Sequence, residues 1–242
     1  MEPNISEDTK VRDIAVANSN ARQILEQAGV DYCCGGDKSL RDACTQSEVS
    51  LEEIMARLQS AEQPLWAQDS EWTTAPLYGL TRHVVTRHHA YVREAIPKIS
   101  GLLIKVEGKH GARHPELARV AALFRQTGEE MIAHMQKEEH VLFPYIEELA
   151  RSIAEKREIE PPFFRTVRNP IRTMLKEHDS AGDLVHQIRR ETSEYKAPAD
   201  ACPSFQALYR ELREFETDLH EHVHLENNIL FPRAIELESA PR

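Results

Sequence analysis

His222-Val223-His224-Leu225-Glu226, followed by Leu230-Phe231-Pro232, repeats an earlier run, His134-Met135-Gln136-Lys137-Glu138 with its own Leu142-Phe143-Pro144, and every matched position is offset by 88. Each half also carries an earlier histidine, His89 in the first and His178 in the second, placed 45 and 44 residues before its H-x-x-x-E pair. Residues four apart stack on one face of a helix. His134 with Glu138, and His222 with Glu226, therefore each present an imidazole and a carboxylate to one inward point. Four helices then deliver four histidines and two glutamates to a common interior.

Imidazole with carboxylate suits iron, manganese or zinc. Two carboxylates able to bridge, two histidines per metal and a bundle interior favour a non-haem di-iron centre over tetrahedral structural zinc. In a chain with 40 acidic residues a single H-x-x-x-E pair is weak evidence. The weight comes from its repetition, the shared L-F-P sequel and the matching lone histidines. His88 adjoins His89, and the spacing to Pro97 together with the repeat offset favours His89 as the ligand. His88 and His224 point away from the neighbouring ligands on a helix and are expected on a solvated face. His140 and His220 are candidates for groups behind the ligands, second to a surface reading.

Around this repeat the chain reads as all-α. Only 9 of 242 residues are Gly, charged residues are abundant, and no run of alternating β-branched residues suggests a strand. Helices are predicted over 77–107, 115–149, 168–194 and 204–237, joined by short connections as an up-down-up-down four-helix bundle. Pro97, Pro144 and Pro232 are expected to kink or stop them. Residues 1–60 read as a small helical domain of short helices. One is signalled by Ser50 and Glu53 at capping-box spacing, and a turn is marked by Cys33-Cys34-Gly35-Gly36, whose glycines permit unusual backbone angles. Residues 61–76, with Pro64, Trp66, Trp72 and Pro76, show no period and read as a linker, leaving 77–242 for the bundle.

A net charge of −10 disfavours a nucleic-acid partner. No apolar run has the length of a signal peptide core or a membrane span, so a cytoplasmic location is expected. There the four cysteines are expected as thiols. Cys33 and Cys34 are too close along the chain to bridge without strain. Their glycine-flanked turn suggests exposure and a relay role, whereas Cys44 and Cys202 read as ordinary packing or surface thiols.

The sequence resembles the hemerythrin-like di-iron proteins, and within them the repair-of-iron-centres group. Asp31-Tyr32-Cys33-Cys34-Gly35-Gly36 is similar to that group's N-terminal signature. H-M-x-K-E-E around Glu138, E-H-D at His178 and H-x-x-L-E-N-N-x-L-F-P at His222 are similar to its bundle signatures. The resemblance implies a hemerythrin-like bundle with ligands His89, His134, Glu138, His178, His222 and Glu226, both glutamates bridging two irons joined by an oxo group. It further implies a homodimeric bacterial stress-response protein that restores iron–sulfur clusters damaged by nitric oxide or peroxide. Damaged iron–sulfur proteins are then its partners, by iron supply or by processing nitric oxide. The alternative is a binding module that stores or senses oxygen or nitric oxide.

Overall fold

The computed structural model describes residues 5–60 and 69–240, and the described residues form helices joined by turns and irregular connections, with a single isolated bridge between Lys10 and Ser39. The all-α expectation is borne out. The chain divides into two compact units, Thr81–His222 and a second made of Met1–Leu80 with Val223–Pro241.

The larger unit holds a four-helix bundle, whose first helix begins and whose fourth helix ends among residues of the second unit. Its first helix comprises α6 (Leu77–His83), a π-helical turn (Val84–His89) and α7 (Ala90–His110); its second comprises α8 (Glu116–Lys137), a π turn (Glu138–Leu142) and α9 (Phe143–Ala154). The third is α10 (Arg168–Glu191) and the fourth α11 (Pro203–His224), which runs on through a π turn (Leu225–Leu230) into α12 (Phe231–Ser239). Apolar positions three and four apart give each helix a buried stripe: Ile99, Leu103 and Val106 on α7, Val120, Leu123 and Phe124 on α8, Leu184, Val185 and Ile188 on α10, Leu208, Leu212 and Phe215 on α11. Helix α8 packs on both α7 and α10. Phe124 and Phe215 meet edge to face across the core, with centroids 5.3 Å apart.

The prolines do not stop these helices. Pro144 and Pro232 each sit at the second residue after a π turn. A proline has no N–H to close the preceding turn, and its ring crowds the carbonyl one turn back; a wider turn just before it moves that carbonyl aside. Pro97 lies in the interior of α7, which continues to His110. The L-F-P element of the repeat thus produces a local widening at the carboxylate of each H-x-x-x-E pair.

In the smaller unit, α1 (Val11–Ala17), α2 (Ser19–Ala28), α3 (Leu40–Gln46) and α4 (Leu51–Ser60) enclose Val11, Ile14, Leu25, Leu40, Ile54 and Leu58. Short helices need explicit ends. The Asn18 side chain accepts from the N–H groups of Asn20 and Ala21, Ser39 Oγ accepts from Asp42 N–H, and Ser50 Oγ accepts from Glu53 N–H at 3.2 Å, as its spacing predicts. Gly29 closes α2 in the left-handed region at φ 71°. Of the stretch read as a linker, 61–68 and with it Trp66 lie outside the described residues, while Asp69–Thr74 forms a further helix, α5, against α1. Its C-terminal carbonyls find a remote partner: the Arg233 guanidinium donates to Trp72 O and Ala75 O, both at 2.6 Å.

Candidate metal centre

Each of the four bundle helices brings one histidine to the same depth. His89 ends the first π turn, His134 lies in the last turn of α8, His178 is mid-way along α10, and His222 is near the end of α11. All four are buried, and so is Glu138, the first residue of the second π turn. The rings face one another in two pairs: His89 Nε2 is 3.2 Å from His222 Nε2, and His134 Nε2 is 3.0 Å from His178 Nε2. Glu138 Oε2 lies between the pairs, 3.3 Å from His89 Nε2 and 3.2 Å from His134 Nε2.

Two ring nitrogens at that separation either share one proton or, when each Nε2 is unprotonated, direct lone pair at lone pair. A cation removes the conflict. Ligand atoms each about 2.1 Å from one metal in adjacent positions are themselves about 3 Å apart. His89, His222 and Glu138 form one such group and His134, His178 and Glu138 another, the carboxylate being common to both. This donor set fits two metal ions sharing one bridging carboxylate. Glu226, fully buried, follows His222 by four residues on the uninterrupted helix, in the position that Glu138 holds relative to His134.

Two further carboxylates fix the rings. His89 Nδ1 donates to Glu139 Oε1 at 2.6 Å, and Arg93 donates to the same oxygen. His134 Nδ1 donates to Glu177 Oε2 at 2.9 Å, with Lys137 on the other oxygen. A carboxylate only accepts, so each Nδ1 carries the proton and each Nε2 turns its lone pair to the centre. The His134 hydrogen bond is the main cause holding the Glu177 carboxyl down to about 2. Glu139 is also lowered: burial, the largest single influence, raises it, but Arg93 and His89 together outweigh that. Sequence reasoning missed both, although each adjoins a residue it had chosen, Glu139 after Glu138 and Glu177 before His178. Removing the Glu177 charge as Glu177→Gln is expected to weaken metal binding about 10–100-fold, read by competition with a chelator. Glu148→Gln, at an exposed ion pair, should leave it unchanged.

The expectation that His88 and His224 face solvent is wrong. His88 is buried, 3.1 Å through Nδ1 from Asp218 Oδ1 of α11, and stacks on the His222 ring at 5.6 Å. It lies in a π turn whose wider spacing alters the angular step per residue, and α11 supplies a partner for the face that an isolated helix would leave exposed. His224 is buried against Tyr32, 2.9 Å from Asn228 Nδ2, and burial pushes its pKa down to about 3. His140 is exposed and bonds its own helix backbone at Gln136 O. His220 stands instead with Glu216 and His186.

In the smaller unit the Cys33–Cys34 turn is wrapped around Asp31. One carboxylate oxygen accepts from the N–H groups of Cys33 and Cys34, at 3.0 and 2.9 Å, and the other from Gly35 N–H at 2.9 Å. The turn is also pinned from outside: Asn228 donates to Tyr32 O and Asn227 to Cys33 O, from the π turn that contains Glu226. The glycines serve close approach rather than unusual angles, since among the described residues the one glycine with positive φ is Gly29. A Cβ on Gly36 would lie 2.8 Å from Arg12 Cβ and 2.9 Å from Tyr32 O. Exposure of both thiols was expected, but Cys33 is buried and Cys34 half-buried, with the Cys33 thiol donating to the Cys34 sulfur at 3.9 Å and no disulfide between them. The Cys33 thiol is raised well above its usual range by its hydrogen bond to Cys34, by burial and by the Asp31 charge.

Residues 80–234 match the hemerythrin HHE cation-binding domain. The chain belongs to that hemerythrin family. The histidines and Glu138 described above all fall within the hemerythrin match, and the resemblance read from the motifs is borne out. Residues 7–62 match a second family, described as a domain of unknown function (DUF542). A probable iron-sulfur cluster repair protein of Haemophilus influenzae is 37% identical, over 93% of this chain and 96% of its own length. The iron-sulfur cluster repair proteins YtfE of Citrobacter koseri and of Escherichia coli O157:H7 are each 34% identical, over 94% of this chain and 97% of theirs. Among the described residues no helix of this hemerythrin-family chain is long and apolar enough to cross a membrane.

Proposed function

We propose that this protein repairs iron–sulfur clusters damaged by nitrosative or oxidative stress, using two irons held by His89, His134, Glu138, His178, His222 and Glu226. The observation that carries the reading is the pair of facing imidazole pairs with Glu138 between them, in a chain similar along almost all its length to proteins named for iron–sulfur cluster repair. Glu226 is assigned as the second bridge on its helical register with His222. Two irons held there, with the oxo bridge that the family resemblance implies, would supply releasable iron and a place for a small ligand such as nitric oxide.

The residues favour release over permanent storage. Iron(II) stands low in the affinity order for nitrogen and oxygen donors, whereas thiolate and sulfide donors hold it as clusters. A cysteine-lined cluster site, with softer sulfur donors, would be a chemically suitable acceptor for iron held by this nitrogen and oxygen set. The Nδ1 hydrogen bonds of Glu139 and Glu177 keep the rings aimed at the centre as metal comes and goes. Four free cysteines suit a cytoplasmic setting, in which we place a homodimer. The alternative, a store or sensor of oxygen or nitric oxide, gives no role to the Cys33–Cys34 turn docked beside Glu226.

Iron-loaded protein incubated with a nitric oxide-damaged iron–sulfur enzyme is expected to restore its activity faster than an equal concentration of free ferrous iron. Reversible gas binding without restoration would decide for the carrier.

A further inference from the structure

We propose that the bundle carries a second, separate metal site, a mononuclear site for a divalent transition cation of the zinc class, formed by His186 of α10 with Glu216 and His220 of α11. One ligand atom from each of the three lies within 4.8 Å of the others. Glu216 and His220 are four apart and share a face of α11, with Glu216 Oε1 4.0 Å from His220 Nε2. The rings of His186 and His220 are 6.1 Å apart between centroids. His220 is two residues from His222, so on the helix the two histidines project to different sides and serve different sites.

The second observation concerns the carboxylate. Glu216 is buried at 1% exposure. Its Oε2 accepts from Arg189 Nε and Nη2 at 3.0 and 2.9 Å, and Tyr195 lies against the same group. Its Oε1 is buried with no hydrogen-bond partner. A buried carboxylate oxygen in that state bears a desolvation cost that no donor offsets. Arg189 orients the carboxylate and neutralises one unit of charge, while Oε1 lies 4.0 Å from His220 Nε2. Two histidines and one carboxylate are a known zinc set that leaves a coordination position for water, and the remaining first-row divalent ions accept the same donors. Both histidines keep some exposure, so they can close from the present spacing onto an ion entering from solvent. An ion there would tie α10 to α11, the helices that bear His178 and His222.

The test counts metal. Full-length protein is loaded with iron, equilibrated with zinc, freed of excess, and the sum of iron and zinc per chain is measured for the wild type, His186→Asn and His220→Gln. The wild type is expected to retain one more ion per chain than either variant, with the iron absorption of the di-metal centre unchanged, and each variant should bind that extra ion more than about tenfold more weakly. Equal sums in all three proteins, or loss of the di-metal absorption in step with the extra ion, would overturn the proposal. Glu216 is left intact because its removal would strand Arg189.

Discussion

Glu138→Leu is expected to produce a folded protein that cannot hold its metal, with iron falling from the two of a di-metal centre to fewer than about one per chain after anaerobic reconstitution. Glu138 Oε2 approaches both His89 and His134, at 3.3 and 3.2 Å, so its loss removes a ligand from both halves of the centre at once. The same substitution should not harm the metal-free fold. A fully buried carboxylate without a cation costs several kcal/mol to keep ionised, and leucine replaces it with a group suited to the interior. Metal-free variant and metal-free wild type are therefore expected to unfold at similar temperatures, or the variant higher, while iron stabilises the wild type alone. His140→Ala, on the exposed face, should leave iron content unchanged. A full iron load in Glu138→Leu would remove Glu138 from the centre.

The double change Cys33→Ala and Cys34→Ala is expected to leave iron content and helicity intact while removing most repair activity. The two positions are not equivalent. Cys33 is buried and its thiol is raised, held by Cys34, burial and Asp31, so it is a poor thiolate at neutral pH, whereas Cys34 retains access to solvent. Cys34→Ala alone should reproduce the larger part of the loss and Cys33→Ala the smaller. A soft thiolate there is a suitable acceptor for iron or a nitrosyl group, and Asn227 and Asn228 hold its turn beside the residue assigned as the second bridge. Cys44→Ala, inside the small domain core, should repair at the wild-type rate. Undiminished repair by the double variant would return both cysteines to packing.

The 88-residue repeat made the bundle and the convergence of His89, His134, Glu138, His178 and His222 readable without coordinates, because helical periodicity is a local property: residues four apart share a face whatever surrounds them. The same locality explains the preference for His89 over His88, which came from register. Sequence by itself also determined that Pro144 and Pro232 disturb the helices, but not how; the chain resolves the clash by widening a turn rather than ending it. Tertiary structure alone decided where the other face of each helix goes. His88 and His224 are buried because Asp218 and Tyr32, at distant positions in the chain, cover faces that a lone helix would give to water. Helix α5 exists in a stretch without period because Arg233, far along the chain, satisfies its terminal carbonyls. Gly36 is glycine because Arg12 and Tyr32 close on it, and Oε1 of Glu216 is left toward His220 because Arg189 holds the other oxygen. Each of these depends on contacts between residues with no fixed spacing, and no pattern along one helix encodes them.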